Sequence, residues 1–160
     1  GCDVRASAVQ FHELAPAVFY FRWLAPANFE KGPAHFFDHL PADIREAFKV
    51  DVLKRVRDGM TAKGIARHSE PEIAALAARS LKALELLLGE KPYLMGDKPC
   101  GADALVFAVL AAAMTPFFKT PIRSHALAIP TLVAYVVRMM DRFYPEFAWD
   151  AGPADLRQAA

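Results

Sequence analysis

A cysteine and an aspartate three residues apart, in the stretch GDKPCGADALVF at residues 96–107, form the first pattern that could carry chemistry. A cysteine at the start of a helix could act as a nucleophile, because the positive end of the helix dipole favours a thiolate. A catalytic cysteine also needs a base, most often a histidine, and no motif places one near Cys100. The carboxylate of Asp103 would itself oppose thiolate formation. We therefore favour a structural interpretation of the pair.

In that interpretation, Cys100 and Asp103 cap the helix that follows them. Asp103 can accept a hydrogen bond from the backbone N–H of Cys100, and the sulfur replaces the usual capping hydroxyl. Replacing Asp103 by alanine should then cost about 1 to 3 kcal/mol. A regular capping box is predicted upstream, where Ser69 precedes a helix and Glu72 occupies its third position.

Two histidines four residues apart, His35 and His39, could face one metal ion if they lay on one helical face. Asp38 is the only nearby residue that could add a third ligand. The two cysteines, Cys2 and Cys100, are far apart and have no metal-binding or redox spacing. The sequence therefore predicts no metal site.

Three aromatic residues, Phe19, Tyr20 and Trp23, lie close together near the end of the first predicted helix. Packing in the core is the default interpretation of such a group. The polar tips of Tyr20 and Trp23 also suit one wall of a pocket for an apolar ligand. Both interpretations remain open at the level of the sequence.

Basic residues outnumber acidic ones between residues 45 and 67, so this stretch could meet a lipid or phosphate surface. Acidic residues are interspersed among the bases, which is more typical of a solvated helical face. The net charge of the whole chain is only +1. We therefore expect no nucleic-acid partner.

Helical periodicity dominates the chain, and we find no run of alternating apolar and polar residues typical of strands. We interpret residues 27–33, ANFEKGP, as a turn. The sequence predicts an all-α fold, a bundle of five or six helices. The clearest of them span residues 4–25, 41–59, 70–88, 100–116, 122–128 and 130–144.

The length of 160 residues suits a single domain, which we place at residues 1–150, followed by a flexible tail at 151–160. Hydrophobic residues make up 54% of the chain, which excludes intrinsic disorder and indicates surface meant for a partner. No apolar run is long enough for a transmembrane segment. The scarcity of cysteine and the lack of a visible signal peptide favour a cytoplasmic protein.

Several stretches of the sequence resemble segments of one known protein family. The segment LLLGEKPYLMGDKPCGADALVFAVL at residues 86–110 resembles the C-terminal helical domain of the glutathione S-transferase superfamily. That family opens a buried helix with Ser or Thr and an Asp three residues later. Further similar stretches indicate the metaxin and failed-axon-connections branch: FRWLAPANFE (21–30), GIARHSEPEIAAL (64–76), KPYLMGDKP (91–99) and PTLVAYVVRMMDRFYPEF (130–147).

The resemblance implies that part of the functional protein lies outside this chain. In the family, an N-terminal thioredoxin-like domain holds glutathione and activates its thiol, and this chain has no counterpart of that domain. No catalytic residue is therefore carried over, and the domain alone is expected to bind no cofactor. The resemblance also implies a homodimer along the first helix. It places Phe19, Tyr20 and Trp23 at the substrate-binding wall.

Two classes of function follow from the resemblance. In the first, the intact protein conjugates glutathione, its co-substrate, to apolar electrophiles, and this chain supplies the substrate pocket and the dimer contact. In the second, the fold serves a non-catalytic adaptor that makes protein–protein contacts, as in metaxin-like members. A thioredoxin-like domain able to activate a thiol would favour the first class.

Overall fold

A computed structural model describes residues 4–147, with side chains from Glu13 onward. Within residues 4–147 the chain forms seven α-helices and no strand, which confirms the predicted all-α class. The helices are α1 (Val4–Trp23), α2 (Pro26–Lys31), α3 (Ala42–Ala62), α4 (Glu70–Leu88), α5 (Gly101–Met114), α6 (Pro121–Leu127) and α7 (Pro130–Phe143). Cys2 and the predicted tail at 151–160 lie outside the described residues.

One core joins α1 to α4, α5, α6 and α7. Helix α1 packs on α4 and α5, α4 packs on α6, and α7 contacts α4, α5 and α6. Each of these helices buries its apolar positions at intervals of three or four residues. The fully buried side chains include Leu14, Ile73, Leu81, Leu84, Leu110, Met114, Ile122, Leu132 and Tyr135.

A second, smaller core lies under the segment between α1 and α4. Phe29, Ala34 and Phe37 are buried there, with Trp23 packed beside them. Helix α3 covers this small core with the partly buried Val52 and Leu53, whereas Met60, its one buried side chain, belongs to the main core. Most of the surface of α3 is therefore open.

Helix α2 was not expected, because the stretch ANFEKGP reads as a turn. Pro26 ends α1, as predicted, but it is also the first residue of α2, where a missing N–H costs nothing. The carbonyl of Ala25 then accepts hydrogen bonds from the N–H groups of Asn28 and Phe29. With α2 included, residues 4–147 form seven α-helices where the sequence predicted five or six.

Helix α5 is apolar on nearly every side of its sequence but is buried on only one. Val106, Phe107 and Leu110 are buried, but Leu105 and Ala108 face outward and are exposed. The sequence of α5 is apolar all round, and the described part of the chain covers only one of its sides.

Candidate functional site

The C-terminal end of α1 carries an exposed pair of aromatic rings. Phe19 is 42% exposed, and its ring lies 5.5 Å from the half-buried ring of Trp23 with an angle of 26° between the planes. Residues four apart lie on the same face of a helix, which is why these two rings stack. The two nearly parallel rings form an apolar surface that a ligand could contact.

Phe36 extends this aromatic surface beyond α1. Its ring lies 6.1 Å from that of Trp23, and its side chain is 64% exposed. Phe36 is part of a short 3-10 helix, Pro33–Phe37. The sequence gives no signal that this segment folds back against Trp23, so Phe36 was not among the predicted site residues.

Tyr20 does not belong to the exposed surface. It is 8% exposed and lies in the main core, where its ring meets the edge of Phe21 at 5.4 Å. A residue next to Phe19 points about 100° away around the helix, and here that direction leads into the core. Of the three predicted wall residues, Phe19 and Trp23 are therefore accessible at the surface, whereas Tyr20 is buried.

Asp103, at the start of α5, is fully buried and receives hydrogen bonds from three groups. The backbone N–H of Cys100 donates to its Oδ2 at 2.8 Å. The backbone N–H of Leu94 and the hydroxyl of Tyr135 donate to its Oδ1 at 2.9 and 3.0 Å. The carboxylate therefore links the loop before α5 with α5 and α7.

Tyr135 remains a donor in this network. Burial is the largest cause that raises the pKa of its hydroxyl, and the negative charge and hydrogen bond of Asp103 raise that pKa further. Because its pKa is raised, the hydroxyl of Tyr135 keeps its proton and can donate a hydrogen bond to Asp103. The sequence did not indicate that Leu94 or Tyr135 forms a hydrogen bond with Asp103.

Cys100 lies half-buried beside this network, at one end of an apolar groove between α5 and α7. No histidine is found among the described residues that line the groove. A nucleophilic cysteine would need such a base within hydrogen-bonding distance. The local chemistry therefore fits a helix start better than a catalytic centre.

The predicted capping residues of α4 also contact each other. Glu72 accepts hydrogen bonds from the backbone N–H and from the hydroxyl of Ser69, both at 2.8 Å. The hydrogen bond from the backbone of Ser69 is the main reason why the pKa of Glu72 is lowered. Gly89 follows the helix with a φ of 57°, a conformation that costs glycine little.

The first of the two histidines four residues apart pairs with the carboxylate between them. His35 is exposed and lies 2.8 Å from the carboxylate of Asp38, a contact that lowers the pKa of that carboxyl. In the part of the chain that the structure describes, no three His, Cys, Asp or Glu side chains converge as a metal site would require.

The basic stretch of α3 is largely balanced by its own acids. Lys49 pairs with Glu46, and Lys54 pairs with Asp58 at 2.9 Å, one helical turn apart along α3. Arg55 pairs with Asp51 in the same way. Such a pattern is typical of a solvated helical face. No helix within residues 4–147 combines the length and the apolar character needed to cross a membrane.

Asn28, a residue that sequence reasoning did not single out, holds the end of α1 in place. Its buried side-chain amide donates to the carbonyls of Phe21 and Lys119 at 2.9 and 3.0 Å. Its carbonyl accepts from the backbone N–H of Lys119 at 3.3 Å. One short side chain therefore connects α1 and α2 to the loop after α5.

Arg22 reinforces this junction. Its guanidinium donates to the carbonyl of Ala112, in the last turn of α5, at 2.6 Å, and lies 4.9 Å from the ring centre of Phe118. Burial lowers the pKa of Arg22. Gly32 packs so closely on the same ring that an added Cβ would lie 2.9 Å from it. These contacts fix the position of the end of α1, which carries Phe19 and Trp23.

Comparison with known proteins gives a family match over part of the chain and two relatives of low identity. Residues 77–139 match the family described as "Glutathione S-transferase, C-terminal domain". The isoprene-epoxide–glutathione S-transferase of Rhodococcus sp. (strain AD45) is 25% identical over 146 residues, which are 86% of this chain and 61% of that relative. A metaxin-1 homolog of Caenorhabditis briggsae is 26% identical over 142 residues, which are 84% of this chain and 42% of that relative.

No solved structure matches the chain significantly. The chain spans about three fifths of the first of these curated relatives and about two fifths of the second. The family match and both relatives confirm the resemblance to the C-terminal helical domain of glutathione S-transferases and to the metaxin branch. In that family the domain is joined to an N-terminal thioredoxin-like partner.

Proposed function

We propose that this chain is the substrate-pocket domain of a glutathione S-transferase-like protein that conjugates glutathione to small apolar electrophiles. The observation that carries the proposal is the exposed Phe19–Trp23 pair at the end of α1. It lies where the resemblance expects the wall that receives the electrophile. The proposal treats residues 1–150 as one domain.

In this proposal, this chain and the thioredoxin-like domain have different roles in the reaction. Phe19, Trp23 and Phe36 can bind an apolar molecule and exclude water, and Asn28 and Arg22 keep their helix in position. Glutathione binding and activation of its thiol are left to the thioredoxin-like domain. In the reaction the glutathione sulfur forms a bond to carbon, and an epoxide C–O bond breaks to an alkoxide that takes up a proton.

The relatives suggest both a substrate class and an alternative. One is named for isoprene epoxide, a small apolar electrophile, and an aromatic surface without charged side chains suits such a molecule. The other is a metaxin homolog at almost the same identity. The alternative function is therefore a non-catalytic adaptor of the metaxin type. A homodimer along α1 and a neighbouring helix remains part of the proposal in either version.

Replacing Phe19 by alanine in the complete gene product is expected to raise the KM for an apolar epoxide about tenfold, because apolar contact area is lost. The KM for glutathione should not change. Phe48→Ala is the matched control, since Phe48 is also 42% exposed but lies on α3. Steady-state kinetics with each substrate varied in turn measure both constants.

Equal KM values for the Phe19→Ala and Phe48→Ala proteins would contradict the assignment of the substrate wall. Complete absence of conjugation by the unaltered gene product, in a folded protein, would favour the adaptor instead.

A further inference from the structure

Helix α3 carries a row of exposed residues beside the stripe that packs on the small core. The members of the row follow each other at intervals of three or four residues, so they are neighbours on one side of the helix. They are Ile44, Phe48, Asp51, Arg55, Gly59 and Ala62, and all of them are exposed. This set is called the α3 row below. It offers a contact surface about 27 Å long to a molecule outside this chain.

The large apolar residues of the α3 row lie in one half and the small residues in the other. Ile44 and Phe48, in the N-terminal half, are 47% and 42% exposed. Gly59 and Ala62, in the C-terminal half, are also exposed and leave the helix surface low there. The row therefore has a raised half and a hollow half.

Gly59 is the residue of the row that the chain itself explains least. A glycine in the interior of a helix destabilises the helix relative to alanine. A Cβ added at Gly59 would meet no atom within 4 Å, so close packing among the described residues is not the reason for the glycine. A side chain from a second molecule, packed into the hollow half, would supply the reason.

The α3 row fits itself when two copies of the helix lie antiparallel, related by a two-fold axis at the level of Leu53. Ile44 and Ala62 lie equally far along the chain from Leu53, and Phe48 and Gly59 nearly so. Ile44 of one copy then faces Ala62 of the other, and Phe48 faces Gly59. A two-fold contact repeats each of these pairs. Every large side chain of the row therefore meets a small residue.

The charges at the centre of the row are complementary in the same arrangement. Asp51 and Arg55 lie equally far from Leu53 on its two sides, so Asp51 of one copy faces Arg55 of the other. Both side chains are more than half exposed and already pair along their own helix. In a parallel pair, Asp51 would face Asp51, and both hollow halves would stay empty. The order of residues in the row therefore favours the antiparallel pair.

We propose that the α3 row is a contact surface between two copies of this chain, packed antiparallel. Phe48 suits such a contact, because the edge of the Phe37 ring, 5.4 Å away, already holds its ring and little freedom is lost on packing. A contact between single helices is small, so we expect a weak association.

The α3 contact is separate from the homodimer along α1 and does not depend on the proposed function. The row contains none of the residues Phe19, Trp23 and Phe36 that form the aromatic surface. Loss of the α3 contact should therefore leave the KM for an electrophile unchanged.

Gly59→Leu tests the contact, because the added side chain fills the hollow that receives Phe48. Association of the 160-residue chain should weaken about tenfold or more. The single chain should nevertheless resist urea better, since leucine favours a helix and the new Cβ meets no neighbour. Sedimentation over about 1 to 500 μM covers the range expected for a small contact. Val50→Arg, at a side chain 67% exposed on another side of α3, is the control and should leave association unchanged.

An exchange of charges makes the test specific for the antiparallel pair. Asp51→Arg places like charges opposite Arg55 of the second copy and should weaken association about tenfold. Arg55→Asp should have the same effect, because it places two acids opposite each other. The double variant restores opposite charges across the contact and should recover most of the association. Circular dichroism of each variant at low concentration checks that it is folded.

Three results would overturn the α3 contact. The first is a chain that stays monomeric over the whole concentration range. The second is association that Gly59→Leu leaves unchanged, which would assign it to the contact along α1. The third is a double variant that associates no better than the single charge variants. If the contact along α1 also forms, Gly59→Leu should halve the mass of the largest assembly instead of yielding a monomer.

Discussion

Replacing Asp103 by alanine is expected to lower the free energy of unfolding by about 3 to 5 kcal/mol. The substitution leaves three donors without an acceptor: the backbone N–H groups of Leu94 and Cys100 and the hydroxyl of Tyr135. Each buried donor left in this way costs about 1 to 3 kcal/mol. Urea unfolding followed by circular dichroism measures the loss.

A graded series separates this network from a simple helix cap. Tyr135→Phe removes one donor and leaves the carboxylate with its two backbone partners, so it should cost only about 1 to 2 kcal/mol. Cys100→Ser should be neutral or slightly stabilising, because a hydroxyl accepts a hydrogen bond better than a thiol does. A loss below 1 kcal/mol in Asp103→Ala would refute the network. Loss of function in a stable Cys100→Ser protein would instead indicate a nucleophile.

Replacing Asn28 by alanine is expected to cost about 2 to 4 kcal/mol. The substitution leaves the carbonyls of Phe21 and Lys119 without the side-chain donor they share, and it removes the acceptor of the Lys119 N–H. Asn28→Asp should be at least as costly, because a carboxylate cannot donate to either carbonyl and because a charge is costly to bury. Urea unfolding again measures the loss.

Ser80→Ala is the control for the effect of removing a buried polar group. Among the described residues, the hydrogen-bond partner found for the hydroxyl of Ser80 is the carbonyl of Leu76, one turn earlier in α4, at 3.3 Å. Its removal therefore leaves no buried group unpaired and should change stability by less than about 1 kcal/mol. Similar losses for Asn28→Ala and Ser80→Ala would contradict the role given to Asn28.

Local signals in the sequence were enough for most of the fold. The capping residues Ser69 and Glu72 and the glycine at 89 predict both ends of α4, because each acts within one helical turn. Pro26 was harder to interpret, since the same residue ends α1 and begins α2. A proline marks the boundary of a helix but does not say whether another helix follows.

The candidate site depended on contacts that no local pattern encodes. Asp103 was predicted to pair with Cys100, three residues away, but its contact with Tyr135 spans 32 residues. The larger stability loss now expected for Asp103→Ala comes from such distant partners. In the same way, the tertiary packing of α1 decided that Phe19 is exposed and Tyr20 is buried. Helical periodicity identifies a face but not the neighbour that covers it.

The central claim is that this chain contributes a substrate wall and leaves thiol activation to another domain. The most direct measurement is the rate of glutathione conjugation to 1-chloro-2,4-dinitrobenzene by the 160-residue chain and by the complete gene product. The chain alone should match the uncatalysed rate, because the proposal assigns the positioning and stabilisation of the thiolate to the other domain. The complete gene product should exceed that rate. Turnover by the chain alone would contradict the claim.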